Sequence, residues 1–279
     1  MSLLAHRFDG SKPFRIDKIE PNDSRGLEKE DAESKLEPIC EELSELADLL
    51  FYAGKHPLLI VLQGMDTSGK DGTIRFLLQH MNAQSIDIVS FKVPTPDELA
   101  HDFLWRCHQN TPGRGEITIF NRSHYEDVLV VRVHDLVPEA KWRSRYGKIV
   151  NFEDQLSDNE TIIVKIFLHI SKDEQEQRLI EREQETEKSW KLSVGDWKER
   201  QNWDAYQSAY EDAINETATK DSAWHVIPAD KKWFRNLAVA EAIVEALRPY
   251  KSGWMDSLKA VGEKAKVELD AYRATLPNK

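Results

Sequence analysis

The apolar positions of this chain change period along its length. In residues 31–53, Leu36, Ile39, Cys40, Leu43, Leu46, Ala47 and Leu50 recur every three or four positions, which predicts a helix with one buried face, ended by Gly54 and Pro57. Residues 58–62 then form an unbroken apolar run, as expected of a strand covered on both faces of a parallel sheet. The alternation continues with a helix over about 70–81, a strand over 86–91, a helix from Pro96 through about Gln109, and a strand over 117–120. A helix is expected after Ser123 and another between Glu139 and Leu156. Residues 161–170 read as the longest strand, Ser171 as the cap of a helix to about Gln184, 224–228 as a last strand and 233–247 as the last core helix.

Strands alternating with helices predict an α/β fold, a three-layer α/β/α sandwich about a mostly parallel sheet, with ligands bound at the carboxyl ends of strands. Residues 1–30 are polar and read as an N-terminal arm, residues 31–248 as the core domain with a lid at about 171–205, and residues 249–279 as a C-terminal helical extension. In that extension Leu258, Val261, Ala265, Leu269 and Tyr272 keep helical spacing, which fits a helix docked on the surface, the simpler reading, or a subunit contact.

Composition narrows the ligands. A chain of 279 residues, 40% hydrophobic, can bury a large core. Lys and Arg number 38 against 49 Asp and Glu, a net charge of −11, which argues against nucleic acid or an anionic membrane as partner. No apolar run approaches the roughly 20 residues of a membrane span and the start does not resemble a secretory leader, so the expected location is cytoplasmic. Cys40 and Cys107 form no CxxC pair and no Cys/His cluster, pointing to neither a disulfide framework nor a structural metal. A polyanionic ligand would therefore need basic residues gathered locally.

Residues 63–73, QGMDTSGKDGT, follow the buried strand and open the next helix. Gly64, Gly69 and Lys70 have the spacing of a phosphate-binding P-loop, in which the backbone around Thr67 and Ser68 would cradle phosphate. Two residues depart from that pattern. Asp66 puts a carboxylate in the anion cradle, and Asp71 stands where a magnesium-binding hydroxyl normally follows the lysine. A metal ion between Asp66 and the phosphates accounts for both; the alternative for Asp66 is a turn aspartate bonding its own backbone.

A second constellation is TIFNRSHYEDVLVVRVHD, residues 118–135. Asn121 stands where many loop-containing nucleotide enzymes carry a metal-holding Asp, and Arg122 beside it suits charge developing on transferred phosphoryl oxygens. Glu126, Asp127 and Arg132 follow, and a plain ion-pair network is the competing reading. Further on, Arg178 and Arg182 are four apart on one helix face, with Lys188 and Lys191 after them. These bases either cover a phosphate chain or pair with the glutamates around them. Trp190, Trp197 and Trp203 read as packing residues, and no histidine is assigned a catalytic role.

GMDTSGKDG, SFKVPTPDELAHDFLWRCH, FNRSHYEDVLVVRV and the lid-like segment closely resemble the polyphosphate kinase 2 family over about residues 26–247. The resemblance implies a P-loop kinase-like fold of the thymidylate kinase type with a helical lid. It also implies that Asp66 and Lys70 are the functional pair of the loop, that Arg122 and Arg132 contact phosphate, that Lys92 is a further basic site position, and that Glu126 lies near the acceptor. Arg178 and Arg182, with Lys188 and Lys191, become lid residues over the chain. Asn121 departs from the family branch that has Asp and resembles the branch using nucleoside monophosphates as well as diphosphates.

The implied activity is reversible transfer of terminal phosphate from inorganic polyphosphate to AMP and ADP, with Mg2+ or Mn2+, by a homo-oligomer, dimer or tetramer. An ATP-dependent nucleotide kinase and a nucleotide-responsive binding protein are the competing readings.

Overall fold

In the computed structural model, which describes residues 4–184 and 194–276, the strands are β1 (His6–Phe8), β2 (Leu58–Gly64), β3 (Ile86–Ser90), β4 (Ile117–Asn121), β5 (Ile162–His169) and β6 (Trp224–Pro228). They join in one sheet of order β1-β6-β5-β2-β4-β3, parallel throughout except for β1, which runs antiparallel to β6. Leu58 stands between Ile117 and Ile162, and Leu62 between Asn121 and Ile166, so β2, β4 and β5 deliver their carboxyl ends to one edge.

The helices are α1 (Lys29–Ala53), α2 (Lys70–His80), α3 (Pro96–Ala100), α4 (Trp105–His108), α5 (Val130–Val133), α6 (Glu139–Asp158), α7 (Lys172–Gln184), α8 (Val194–Glu199), α9 (Trp203–Thr217), α10 (Lys232–Leu247) and α11 (Lys251–Ala274). Along β2, which is buried at every position, Leu58, Ile60 and Leu62 face Leu43, Leu46 and Leu50 of α1 and Phe234 and Ile243 of α10. Leu59 and Val61 face the opposite layer, with Tyr146 and Ile149 of α6 and Tyr210 and Ile214 of α9. The period-2 alternation of a strand thus splits one apolar run between two cores, which makes the three layers.

Several expectations change. The helix over 96–109 is two helices. Thr95 and Glu98 cap the start of α3 reciprocally, His101 turns extended, and Asp102 Oδ1 accepts from the Leu104 amide to begin a new turn before α4. After Ser123 the chain makes a single 3₁₀ turn, His124–Asp127, before the short α5, because the Ser123 hydroxyl accepts from the Tyr125 amide rather than opening a long helix. The N-terminal arm is part of the body: β1 pairs His6 with Val226, and the Asn215 side chain holds both the amide and the carbonyl of the buried Phe14. Helix α9 was not expected at all. The C-terminal extension docks only at its start, where Trp254 is fully buried and donates to His56 Nδ1, while Val261, Leu269 and Tyr272 stay exposed. Among the described residues no helix is long and apolar enough to cross a membrane.

Candidate active site

The loop between β2 and α2 is built by two glycines with left-handed or near-forbidden backbone. Gly64 has φ 155°, and a Cβ there would meet Ser68 Oγ at 2.6 Å and the Leu168 carbonyl at 2.8 Å, so only glycine lets the loop fold back on the sheet. Gly69, φ 103°, opens α2. Thr67 is also left-handed, at φ 61°, an unfavourable position for a β-branched residue and one held by its neighbours: its carbonyl accepts from Arg178 Nη1 at 2.9 Å. The Asp66 carbonyl accepts from Gln175 Nε2 at 3.0 Å, so α7 braces the loop at two successive residues. The side-chain hydroxyls of Thr67, Ser68 and Thr73 are buried with no hydrogen-bond partner among the described residues, donors and acceptors set around the start of a helix whose dipole favours anions.

Lys70 folds under this loop. Its Nζ donates to the carbonyls of Gly64 at 2.6 Å and Met65 at 3.0 Å, and burial, with Arg122 adding repulsion, lowers its pKa to about 8. It is therefore not the solvated cation of an ordinary helix start. Across the loop Arg122, at the end of β4, takes a left-handed φ of 62° while its amide donates to the Leu62 carbonyl. That turn aims the guanidinium between two carboxylates, donating to Asp66 Oδ1 at 2.8 Å and Glu126 Oε2 at 3.1 Å. Burial opposes the Arg122 charge, but Glu126 and Asp66 outweigh it and raise its pKa. The buried Gln63 fixes the other Glu126 oxygen, donating to Oε1 at 3.2 Å and to Ser123 Oγ at 3.1 Å. Asn121 donates from Nδ2 to Asp71 Oδ1 at 3.1 Å, tying the strand end to the first turn of α2.

Asp66, Lys70, Asp71, Asn121, Arg122 and Glu126 thus come together at the ends of β2 and β4. Lys92 lies exposed at the same edge, just beyond β3, with its carbonyl accepting from Arg106. Arg132 points elsewhere, bonded to Asp212 at 2.7 Å with its guanidinium 4.8 Å from the Trp142 ring centre. Arg178 is not a free lid cation: it is 8% exposed and bonded to Glu174, Thr67, Ala229 and Asp230, a brace between α7, the loop and the end of β6. Arg182 pairs with Asp196 at 2.7 Å, and burial together with Asp66 raises the Asp196 pKa. Lys188, Lys191 and Trp190 lie outside the described residues. Trp203 packs in the core as expected, while Trp197 donates to Glu183.

A cleft of about 20 Å³ lies between the loop and α8 and α9, lined by Asp66, Arg122, Glu126, Gln175, Glu199 and Tyr206 among others. It has room for about one water.

Behind the site sits a network that sequence reading missed. Lys165, in the middle of β5 and fully buried, donates to Glu153 Oε2 at 2.6 Å, to the Thr217 carbonyl and to Tyr125 Oη. Glu153 Oε1 accepts from Tyr125 Oη at 2.8 Å and lies 3.1 Å from His124 Nε2, and Oε2 also accepts from Ser222. Burial would raise the Glu153 pKa, but Lys165 and His124 hold it down at about 2. The ion pair thereby anchors His124 and Tyr125, the residues directly before Glu126. A lysine inside an otherwise apolar strand was the available signal for it.

Among the described residues no three His, Cys, Asp or Glu side chains gather as a metal cluster. The Asp66 carboxylate, 30% exposed beside the orphaned hydroxyls, suits instead a hard divalent ion that draws most of its oxygen ligands from phosphate.

The sequence profile of the family Polyphosphate kinase 2 (PPK2) matches residues 26–252. An AMP/ADP-polyphosphate phosphotransferase of Meiothermus ruber is 50% identical over 247 residues, 88% of this chain and 92% of that protein. An ADP-polyphosphate phosphotransferase of Rhodopseudomonas palustris is 44% identical over 232 residues, 79% of this chain and 80% of that protein. The crystal structure of polyphosphate kinase 2 from Arthrobacter aurescens superposes with a TM-score of 0.84 at 39% identity, covering 88% of each chain. A P-loop on a parallel sheet, an arginine held between two carboxylates at its mouth, and a family match running from the N-terminal arm into α11 lead to one conclusion: the chain belongs to the polyphosphate kinase 2 family.

Proposed function

We propose that the enzyme transfers the terminal phosphate of inorganic polyphosphate to AMP and to ADP, giving ADP and ATP, and runs reversibly in the cytoplasm. One observation carries the reading: Arg122 stands between Asp66 of the phosphate loop and Glu126 on the acceptor side, where a cation meets charge on a phosphoryl group passing from one to the other. The relatives' names, one for AMP and ADP and one for ADP, support the acceptors. Asp66 would hold Mg2+ or Mn2+, and such an ion neutralises charge on the phosphoryl oxygens when bound. Lys70 positions the donor phosphates, Arg122 orients the group in transit, and Gln63 keeps Glu126 turned toward the acceptor.

One site can serve two acceptors because polyphosphate is a run of equivalent units that can slide until its end meets either one. The first test is a time course from AMP and polyphosphate alone, in which ADP should appear before ATP. Asn121→Asp would set a second carboxylate where Asn121 now bonds Asp71 at 3.1 Å, repelling a shifted phosphate chain. This variant should lose more activity toward AMP than toward ADP. A parent that does not consume AMP overturns the dual-acceptor reading.

The same reading includes a homo-oligomer. It is supported by α11, where Val261 and Tyr272 remain more than 60% exposed in a row that the body does not cover. Sedimentation should show a dimer or larger species that Val261→Asp with Leu269→Asp reduces; a monomer in both removes the proposal.

A further inference from the structure

Arg235, in the first turn of α10, belongs to none of the motifs above, yet its guanidinium lies against the opening of α2. A Cβ on Gly69 would meet its Nη1 at 1.9 Å, and one on Gly72 its Nη2 at 3.4 Å, so the guanidinium takes the space where side chains would stand. Arg235 is 4% exposed. Its hydrogen bonds run from Nε and Nη2 to the uncharged Asn236 Oδ1, at 3.2 and 2.8 Å, and Nη1 makes none among the described residues.

Its electrostatic surroundings are repulsive. No carboxylate pairs with Arg235 among the described residues, Arg178 is its charged neighbour, and the N-terminus of α2 adds the positive end of a helix dipole. Burial and then Arg178 pull its pKa down to about 10. A buried cation without a counter-ion is costly, and folds ordinarily pair or neutralise it. Here it is kept in place by an α10 whose neighbouring Phe234, Leu237 and Ala238 are buried in or beside the core. An anionic ligand would offset that cost.

The chemistry of the loop indicates which anion. In P-loop enzymes the lysine reaches the terminal phosphates, and the amides around the helix start cradle the inner ones. Gly69 and Gly72 therefore mark the side toward which the donor continues away from the transferred group. In a nucleoside triphosphate that continuation is an uncharged sugar and base. In polyphosphate it is another anionic phosphate at every step. Resting on the polyphosphate reading above, we propose that Arg235 is a donor-binding residue that contacts the polyphosphate chain beyond the phosphates held by the loop and biases the enzyme toward this donor over a nucleoside triphosphate.

The test is a comparison of the full-length parent, Arg235→Gln and Arg235→Lys with long-chain polyphosphate or ATP as donor. Arg235→Gln should raise KM for polyphosphate about tenfold or more, the expected loss of a charge-assisted phosphate contact, while KM for ADP moves less than about twofold. Arg235→Lys should recover most of that loss. The preference for polyphosphate over ATP as donor to AMP should narrow in Arg235→Gln. Thermal melting separates this from a structural role. Without ligand, the Gln variant should melt at or above the parent temperature, since an unpaired charge has been removed, and the rise in melting temperature produced by polyphosphate should shrink. An unchanged KM for polyphosphate, equal rises in both KM values, or a variant that melts lower or fails to fold each overturns the assignment. A parent with no polyphosphate turnover overturns the functional reading and this inference with it, whereas a normal parent beside an indifferent Arg235→Gln overturns this inference alone.

Discussion

Lys70→Met is expected to lower turnover with polyphosphate by about 100-fold or more, and Asp66→Asn by a similar factor, with the fold intact in both. The two changes act on opposite charges of one device. Methionine keeps most of the length of the lysine side chain but removes the charge held under the loop against the Gly64 and Met65 carbonyls. Asparagine keeps the shape of Asp66 but weakens both its grip on a divalent ion and its pairing with Arg122, leaving that guanidinium to Glu126 alone. Steady-state rates at saturating magnesium, with circular dichroism to check folding, decide the matter; near-normal turnover in either variant would falsify the assigned role. The buried lysine also sets a pH dependence. Because its pKa in the ligand-free protein is lowered to about 8, it loses its charge as pH rises through that value, and kcat/KM for polyphosphate should fall there.

Glu153→Ala should destabilise the protein by about 3–5 kcal/mol, because it strands the fully buried Lys165 without its counter-ion. For a chain of this size that corresponds to a drop of roughly 10 °C in melting temperature. Replacing both partners, Glu153→Leu with Lys165→Met, should recover much of the loss, since the desolvation cost of the pair disappears with its attraction. The acid side carries a matching sign. Glu153 is held at about 2 in the folded protein against an ordinary 4.5, so its contribution is present above about pH 4.5 and is lost as pH falls toward 2. A loss below about 1 kcal/mol in the single variant would mean that the pair adds little beyond a hydrophobic filling.

Much of this was legible in the residues. The run at 58–62 reads as a strand buried on both faces, which the structure bears out, and it leads straight into glycines whose spacing announces the phosphate loop. Ser171 does cap α7, its hydroxyl accepting from the Glu174 amide. What stayed hidden depended on distant partners. Three residues, His6–Phe8, are too few to show a period, and they are a strand because β6 lies beside them. Arg178 shows the same limit at the site: its spacing from Arg182 identifies a shared helix face, but the Thr67, Ala229 and Asp230 carbonyls that bury it come from other parts of the chain. Arg235 stands in none of the motifs, and only the fold lays it over Gly69.

The edge strand β1 also bears on how the molecule is made. During synthesis, residues 6–8 leave the ribosome well before the strand they pair with, 224–226, and the bonds that seat Phe14 reach across 201 positions to Asn215. At about 5–20 residues per second, the N-terminal segment waits on the order of ten seconds or more with its backbone groups unpaired and Phe14 without its pocket. The polar character of the segment keeps it in water over that interval, and its docking closes the sheet edge only after the phosphate loop and its supporting strands have been synthesised.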